Sequence, residues 1–177
     1  MSRDFFHVNM RNRILDALHV VFICFYLQMT MSYSYPGLDL HNRLRDKHGA
    51  PRLVWSAELA TLAQQYAQLL LQNQTFQHGM LIDTHGKRMG QNLAWGTSPT
   101  WHVDDAVHAW YDEGKKYNYS TTSFDPSTSH FTQLVWKSTT DVGIGVATNG
   151  TKTIVVANYS PPGNVNKHFV ENVLPPH

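Results

Sequence analysis

One cysteine, Cys24, in 177 residues leaves no disulfide within the chain to staple the fold. The usual sequence evidence for an oxidising compartment is therefore missing. Cys24 also falls in the N-terminal segment read below as an address, so the domain that follows has no thiol nucleophile. Charge is scarce too: 15% of residues are charged and the formal net charge is +1. Without the first 34 residues the balance is 11 basic against 11 acidic side chains. A neutral domain has no long-range pull on DNA, RNA or anionic lipid. A nucleic-acid partner is thus not expected, and peripheral membrane contact would need a local patch or buried apolar surface. The longest uninterrupted apolar run, Val20 to Leu27, is too short to span a bilayer of about 30 Å as a helix. There is no Gly-x-Ser-x-Gly elbow and no His-Glu-x-x-His pair, which removes two common hydrolase signatures. Gly143-x-Gly145 lacks the third glycine of a dinucleotide fingerprint and precedes no predicted helix.

What is present suits one aromatic-rich domain, long enough to bury about two-thirds of its unfolded surface. Three arginines precede the apolar stretch, and Ser32 and Ser34 are spaced like a cleavage site. Residues 1–34 therefore read as a secretory signal peptide or a signal anchor. Asp16 interrupts the apolar stretch. Sequons at Asn73, Asn118 and Asn149 are glycosylation candidates that lean towards secretion. A fourth, Asn158, falls in a predicted buried strand.

From Leu38 the pattern is helical up to Gly49, a glycine of C-cap type, and Pro51 stops any continuation. Ser56 is placed to cap a second helix, Ala57 to about Gln72, with Leu59, Leu62, Ala63, Tyr66, Leu69 and Leu70 on one stripe. A third is predicted from about Val103 to Lys116, acidic at its start and basic at its end as the helix dipole favours. Two strands, Val142–Thr148 and Thr151–Tyr159, flank Asn149-Gly150, a tight-hairpin dipeptide. Helices early and hairpins late argue for the α+β class.

Two segments carry polar side chains inside apolar runs: Ser129-His130-Phe131-Thr132-Gln133-Leu134-Val135-Trp136, and Val155-Val156-Ala157-Asn158-Tyr159-Ser160-Pro161-Pro162-Gly163-Asn164. Together they closely resemble the two signature motifs of the CAP superfamily of cysteine-rich secretory, antigen 5 and pathogenesis-related 1 proteins. His41, Asn42 and Arg45 stand at the places of that family's His-Asn-x-x-Arg pattern. The resemblance covers residues 38–176 and implies a three-layer α-β-α sandwich. The absence of cysteine and the tail Phe169 to Pro176 look like the Golgi-associated plant pathogenesis-related branch, whose members are typically intracellular and peripheral to membranes. Extracellular and Golgi-membrane locations therefore both stay open.

The resemblance also implies a solvent-open cleft with two histidines and two acidic residues. His78 and His130 match the histidines that can hold a divalent metal, and Glu113 matches one glutamate. The other position departs: the usual Gly-Glu-Asn-Leu is Gly90-Gln91-Asn92-Leu93 here. A glutamine can orient an imidazole or a water but brings no negative charge and cannot act as a base. Zn²⁺ is accordingly expected to bind weakly and exchangeably, unless the four residues instead form a hydrogen-bonded network. An enzyme is not expected, because Ser129 and His130, read as strand neighbours, would point in opposite directions. The resemblance implies a non-catalytic protein that binds a sterol or fatty acid. A secreted effector working through a protein partner, and a metal-assisted hydrolase, are the alternatives.

Overall fold

A computed structural model describes residues 35–79 and 81–177; residues 1–34, read above as a signal peptide or signal anchor, lie outside the described residues. Four strands form a mixed sheet in the order β1 (Val54–Trp55), β3 (Asp141–Thr148), β4 (Thr153–Ser160), β2 (Gly90–Gly96). β1 runs parallel to β3, and the other two pairings are antiparallel. Helices α1 (Leu38–Asp46), α2 (Ala57–Asn73), α3 (Val103–Asp112), α4 (Ser129–Val135) and α5 (Phe169–Asn172) surround it.

The two-residue period of β4 produces the sandwich. Ile154 and Val156 pack with Ala63, Ala67 and Leu70 of α2. Val155, Ala157 and Tyr159 point the other way, into a larger cluster with Leu44 of α1, Trp110 of α3 and Phe131 and Leu134 of α4. On β3, Gly143 and Gly145 lie under α2. A Cβ on either would sit 2.0 or 2.1 Å from the backbone nitrogens of Ala60 and Gln64. These two glycines let helix and sheet approach backbone to backbone, a role that motif reading did not give them.

A side chain meets the backbone at one position on each side of the sheet. The Gln64 amide donates to the Val146 carbonyl at 2.7 Å and accepts its N–H at 2.9 Å, where β1 has already ended. On the opposite side the Trp110 indole N–H donates to the Leu93 carbonyl at 3.0 Å. Ser56 caps α2 as expected, its hydroxyl accepting from Leu59 N–H.

Four expectations are corrected. Ser129 to Val135 is a helix, not a strand. Its residues 131 to 135 are all buried, and a short segment buried on every side shows no distinguishing period. Phe131, Leu134, Trp136, Val156 and Tyr159 are all buried as expected. The β3–β4 connection is a four-residue loop, Asn149 to Lys152, because Thr148 pairs with Thr153; Gly150 takes positive φ and Asn149 does not. The third helix tightens to a 3₁₀ turn at Glu113–Lys116. Finally, the α2 stripe splits in two. Leu59, Ala63, Ala67 and Leu70 are buried on the sheet, whereas Leu62 and Tyr66 are only half-buried and Leu69 is 48% exposed.

Candidate functional site

Glu113 begins the 3₁₀ turn after α3 and faces the start of α4. One carboxylate oxygen accepts the backbone N–H groups of His130 and Phe131, at 3.0 and 3.2 Å, which have no partner within the helix. Its other oxygen lies 2.7 Å from His130 Nδ1. A carboxylate can only accept, so Nδ1 carries a proton, and in the neutral ring Nε2 is the nitrogen with the lone pair. The His130 ring stacks on Trp110, with centroids 6.3 Å apart and planes at 25°. Glu113 thus caps the helix and fixes the imidazole's tautomer and tilt together.

His78, in the loop after α2, is oriented through a chain of amides. Asn158 Nδ2 donates to the Leu59 carbonyl, which leaves Asn158 Oδ1 to accept from Gln91 Nε2 at 3.1 Å. Gln91 Oε1 is then an acceptor; it takes Gly79 N–H and, at 3.1 Å, His78 Nδ1. The buried chain therefore places the His78 proton on Nδ1 as well. Neither ring's Nε2 has a protein partner among the described residues.

His78, Gln91 and His130 line one cavity of about 270 Å³, with Arg88, Ser129 and Asn164 among its other walls. Glu113 stands behind His130 and does not line it. Among the described residues no group of three or more His, Cys, Asp or Glu side chains could hold a metal ion. Two imidazole nitrogens are a partial donor set, since zinc sites use three or four protein ligands. The Ser129 hydroxyl donates to the Pro126 carbonyl at 3.1 Å, and His130 Nδ1 is held by Glu113.

A second cavity of about 270 Å³ adjoins the first and shares Met89 and Gln91 with it; Leu62, Tyr66, Leu69 and Ile82 supply its apolar wall. Leu62, Tyr66 and Leu69 are the outer stripe of α2, so residues that look like core in the sequence line a groove instead.

Behind the cleft runs a buried relay. Asn92 Nδ2 donates to the His130 carbonyl and, at 3.2 Å, to the Tyr159 hydroxyl. Tyr159 donates in turn to His41 Nε2 at 2.8 Å, and His41 Nδ1–H donates to the Gly37 carbonyl at 2.7 Å. Burial lowers the His41 pKa from 6.5 to about 4. The unfolded chain therefore takes up this proton first, and stability is lost as pH falls from 6.5 towards 4. We predict a loss of about 3 kcal/mol between pH 7 and pH 4 from this residue. Burial lowers the His48 pKa as well, which acts in the same direction. Urea unfolding of wild type and His41→Gln at both pH values checks this; an equal pH-dependence in the two proteins would refute it.

Asn73, Asn118 and Asn149 are exposed, whereas Asn158 is buried and bonded on both sides of its amide. The resemblance already pointed to His41, Asn42 and Arg45, but Asn92 and His48 were missed as contributors. His48 donates to the Leu174 carbonyl and accepts from the Tyr111 hydroxyl, holding the C-terminal segment 126 residues along the chain. Nothing local could reveal such a distant partner.

Residues 38–159 match the CAP family, described as the cysteine-rich secretory protein family, and the chain belongs to it. It is 39% identical over 142 residues to the human Golgi-associated plant pathogenesis-related protein 1, covering 78% of this chain and 90% of that one. It is 35% identical over 156 residues to the secreted protein RBT4 of Candida albicans, covering 78% of this chain but 40% of the relative. Among solved folds, NaASP2 with Zn²⁺ superposes with a TM-score of 0.62 at 20% identity, over 79% of this chain and 83% of that one. The relatives thus include both secreted and Golgi-associated proteins.

Proposed function

We propose that this is a non-catalytic protein of the secretory pathway that binds a small hydrophobic ligand, a sterol or a fatty acid. The observation that carries this reading is the open apolar groove on the outer stripe of α2, directly beside the histidine cleft. A serine hydroxyl engaged by a backbone carbonyl, next to a histidine whose Nδ1 is engaged by a carboxylate, supports a binding role over hydrolysis. Exposed sequons support passage through the secretory pathway, with release to the medium as the destination and the Golgi membrane as the alternative. Glycopeptides bearing Asn73, Asn118 or Asn149 in secreted material test that route. Titration of the purified protein with cholesterol and with a long-chain fatty acid tests the ligand class, and saturable binding of neither would refute it.

A second reading, weak Zn²⁺ binding through Nε2 of His78 and His130, is favoured by the tautomers that Gln91 and Glu113 impose. In the neutral tautomer each ring presents its Nε2 lone pair, and Glu113 strengthens the His130 nitrogen as a donor. Gln91→Glu adds a charge and should tighten Zn²⁺ binding, while His130→Ala should abolish it with the fold intact. The gain carries a cost: in Gln91→Glu a carboxylate oxygen would face Asn158 Oδ1, and Asn158 would have to turn and abandon the Leu59 carbonyl. We expect Gln91→Glu to be less stable by about 1–2 kcal/mol for that reason. Calorimetry with Zn²⁺ and urea melts on the two variants check both effects; equal affinity in wild type and Gln91→Glu would show the added charge to be silent.

A further inference from the structure

The two cavities differ sharply in character although they share a wall. Arg88, His78 and His130 line the first. Among the described residues no carboxylate lines either one. The Arg88 guanidinium makes no hydrogen bond or ion pair among the described residues. An arginine at a cavity wall with no acidic partner favours an anion there, since its planar fork matches a carboxylate or a phosphate.

The second cavity has no cation among the described residues that line it. Its wall repeats at i, i+4 and i+7 along α2 through Leu62, Tyr66 and Leu69, a run of about 10 Å at the helical rise per residue. Across from it stands Ile82, 45% exposed, as open to solvent as Leu69. A helix already anchored by one apolar stripe on the sheet gains nothing in folding from a second stripe left in water. An apolar chain laid between Leu69 and Ile82 would bury both. The short hairpin that carries Ile82 and Arg88 is tied down by the Ile82–Arg88 bridge and by Met89 N–H donating to the Leu81 carbonyl at 3.0 Å. The same hairpin therefore supplies a cation to one cavity and an apolar face to the other.

We propose that the two cavities form one bipartite site for a single-chain amphiphile with an anionic head group. The head lies at Arg88, the chain passes Met89, and the tail lies in the groove between α2 and Ile82. This deepens the reading of the protein as a binder of small hydrophobic ligands, and rests on it. It also orients the ligand and favours a charged amphiphile over a neutral sterol at this place.

The test is calorimetric titration of the full chain, with chelator present, using dodecanoate, dodecyl phosphate and uncharged dodecanol below their aggregation limits, and cholesterol as a comparison. The two anions should bind at least about tenfold more tightly than dodecanol, the scale of one charge-assisted hydrogen bond. Their order identifies the head as carboxylate or phosphate. Arg88→Ala should remove the preference for anions over dodecanol, and Ile82→Asp should weaken all three chains. Both residues are exposed, so circular dichroism should show both variants folded. Equal affinity for dodecanoate and dodecanol, or an Arg88→Ala variant that keeps the preference, overturns the proposal. Cholesterol binding that Ile82→Asp does not affect, with no binding of the chains, overturns it while the general reading survives. If none of the four ligands binds, both fall.

Discussion

Replacing Arg45 with alanine should cost about 3–5 kcal/mol, most of the margin of a domain whose whole stability is of order 5–15 kcal/mol. Arg45 on α1 is fully buried, yet no carboxylate pairs with it among the described residues. Its charge is met by carbonyls. Nε donates to Pro51 at 2.8 Å, Nη1 to Leu134 and Trp136 at 2.9 Å each, and Nη2 to Thr139 at 2.9 Å. Three of these acceptors lie at or just beyond the end of α4, where helix carbonyls lack partners within the helix. Burial lowers the Arg45 pKa only to about 10, so it remains a cation at neutral pH. Alanine removes every donor; Trp136 keeps Thr139 N–H, but the Pro51, Leu134 and Thr139 carbonyls lose theirs, each at about 1–3 kcal/mol where water cannot enter. Arg45→Lys should recover only part of the loss, because one ammonium cannot reproduce the planar fork. Equilibrium urea unfolding followed by tryptophan fluorescence measures this. A loss below about 1 kcal/mol for Arg45→Ala would mean that the carbonyls find water or other donors.

The second large effect is steric. Gly145→Ala should destabilise by about 3 kcal/mol, because the new methyl would sit 2.1 Å from Gln64 N and 2.4 Å from Ala63 C. These are backbone atoms of α2, so no rotamer change can relieve the contact, and the helix itself must lift from the sheet. Gly143→Ala, 2.0 Å from Ala60 N, should behave alike. Gly150→Ala is the contrast: nothing lies within 4 Å of its added methyl, and only its φ of 86° is unfavourable. That backbone term alone is worth about 1–2 kcal/mol. Thermal unfolding of the three variants separates the two costs, with a drop in Tm of about 10 °C expected for Gly145→Ala. If Gly145→Ala and Gly150→Ala melt together, the close approach of helix and sheet is not what requires the glycine.

The sequence made local features legible and long-range ones illegible. Ser56 was readable as a cap because its partner, Leu59, is three residues away. The burial of Phe131, Leu134 and Trp136 was readable from their apolar character, but the helical form of the segment was not, since complete burial erases the period. Two adjacent apolar stripes on α2 merged into one on paper, because spacing does not say which stripe meets the sheet. Gly143 and Gly145 could be dismissed as a dinucleotide motif, yet nothing nearby showed what crosses above them. Arg45 came into view only through resemblance, its Leu134, Trp136 and Thr139 acceptors being 89, 91 and 94 residues away. For the cleft, the resemblance picked out His78, Gln91, Glu113 and His130. The proton positions follow only from the Asn158 and Glu113 contacts that the fold creates.

The side-chain caps on the sheet edges bear on how copies of this chain can meet. An edge that keeps its N–H and C=O groups open is a template for another strand, the usual route to edge-to-edge aggregation. At Val146 the Gln64 amide already fills the place of an incoming peptide group, offering one donor and one acceptor in its stead. At Leu93 the Trp110 indole occupies one carbonyl of the opposite border. A peptide seeking to extend the sheet would have to displace a side chain that is itself anchored in a packed helix. Strand addition is thereby opposed at these two positions of the sheet border.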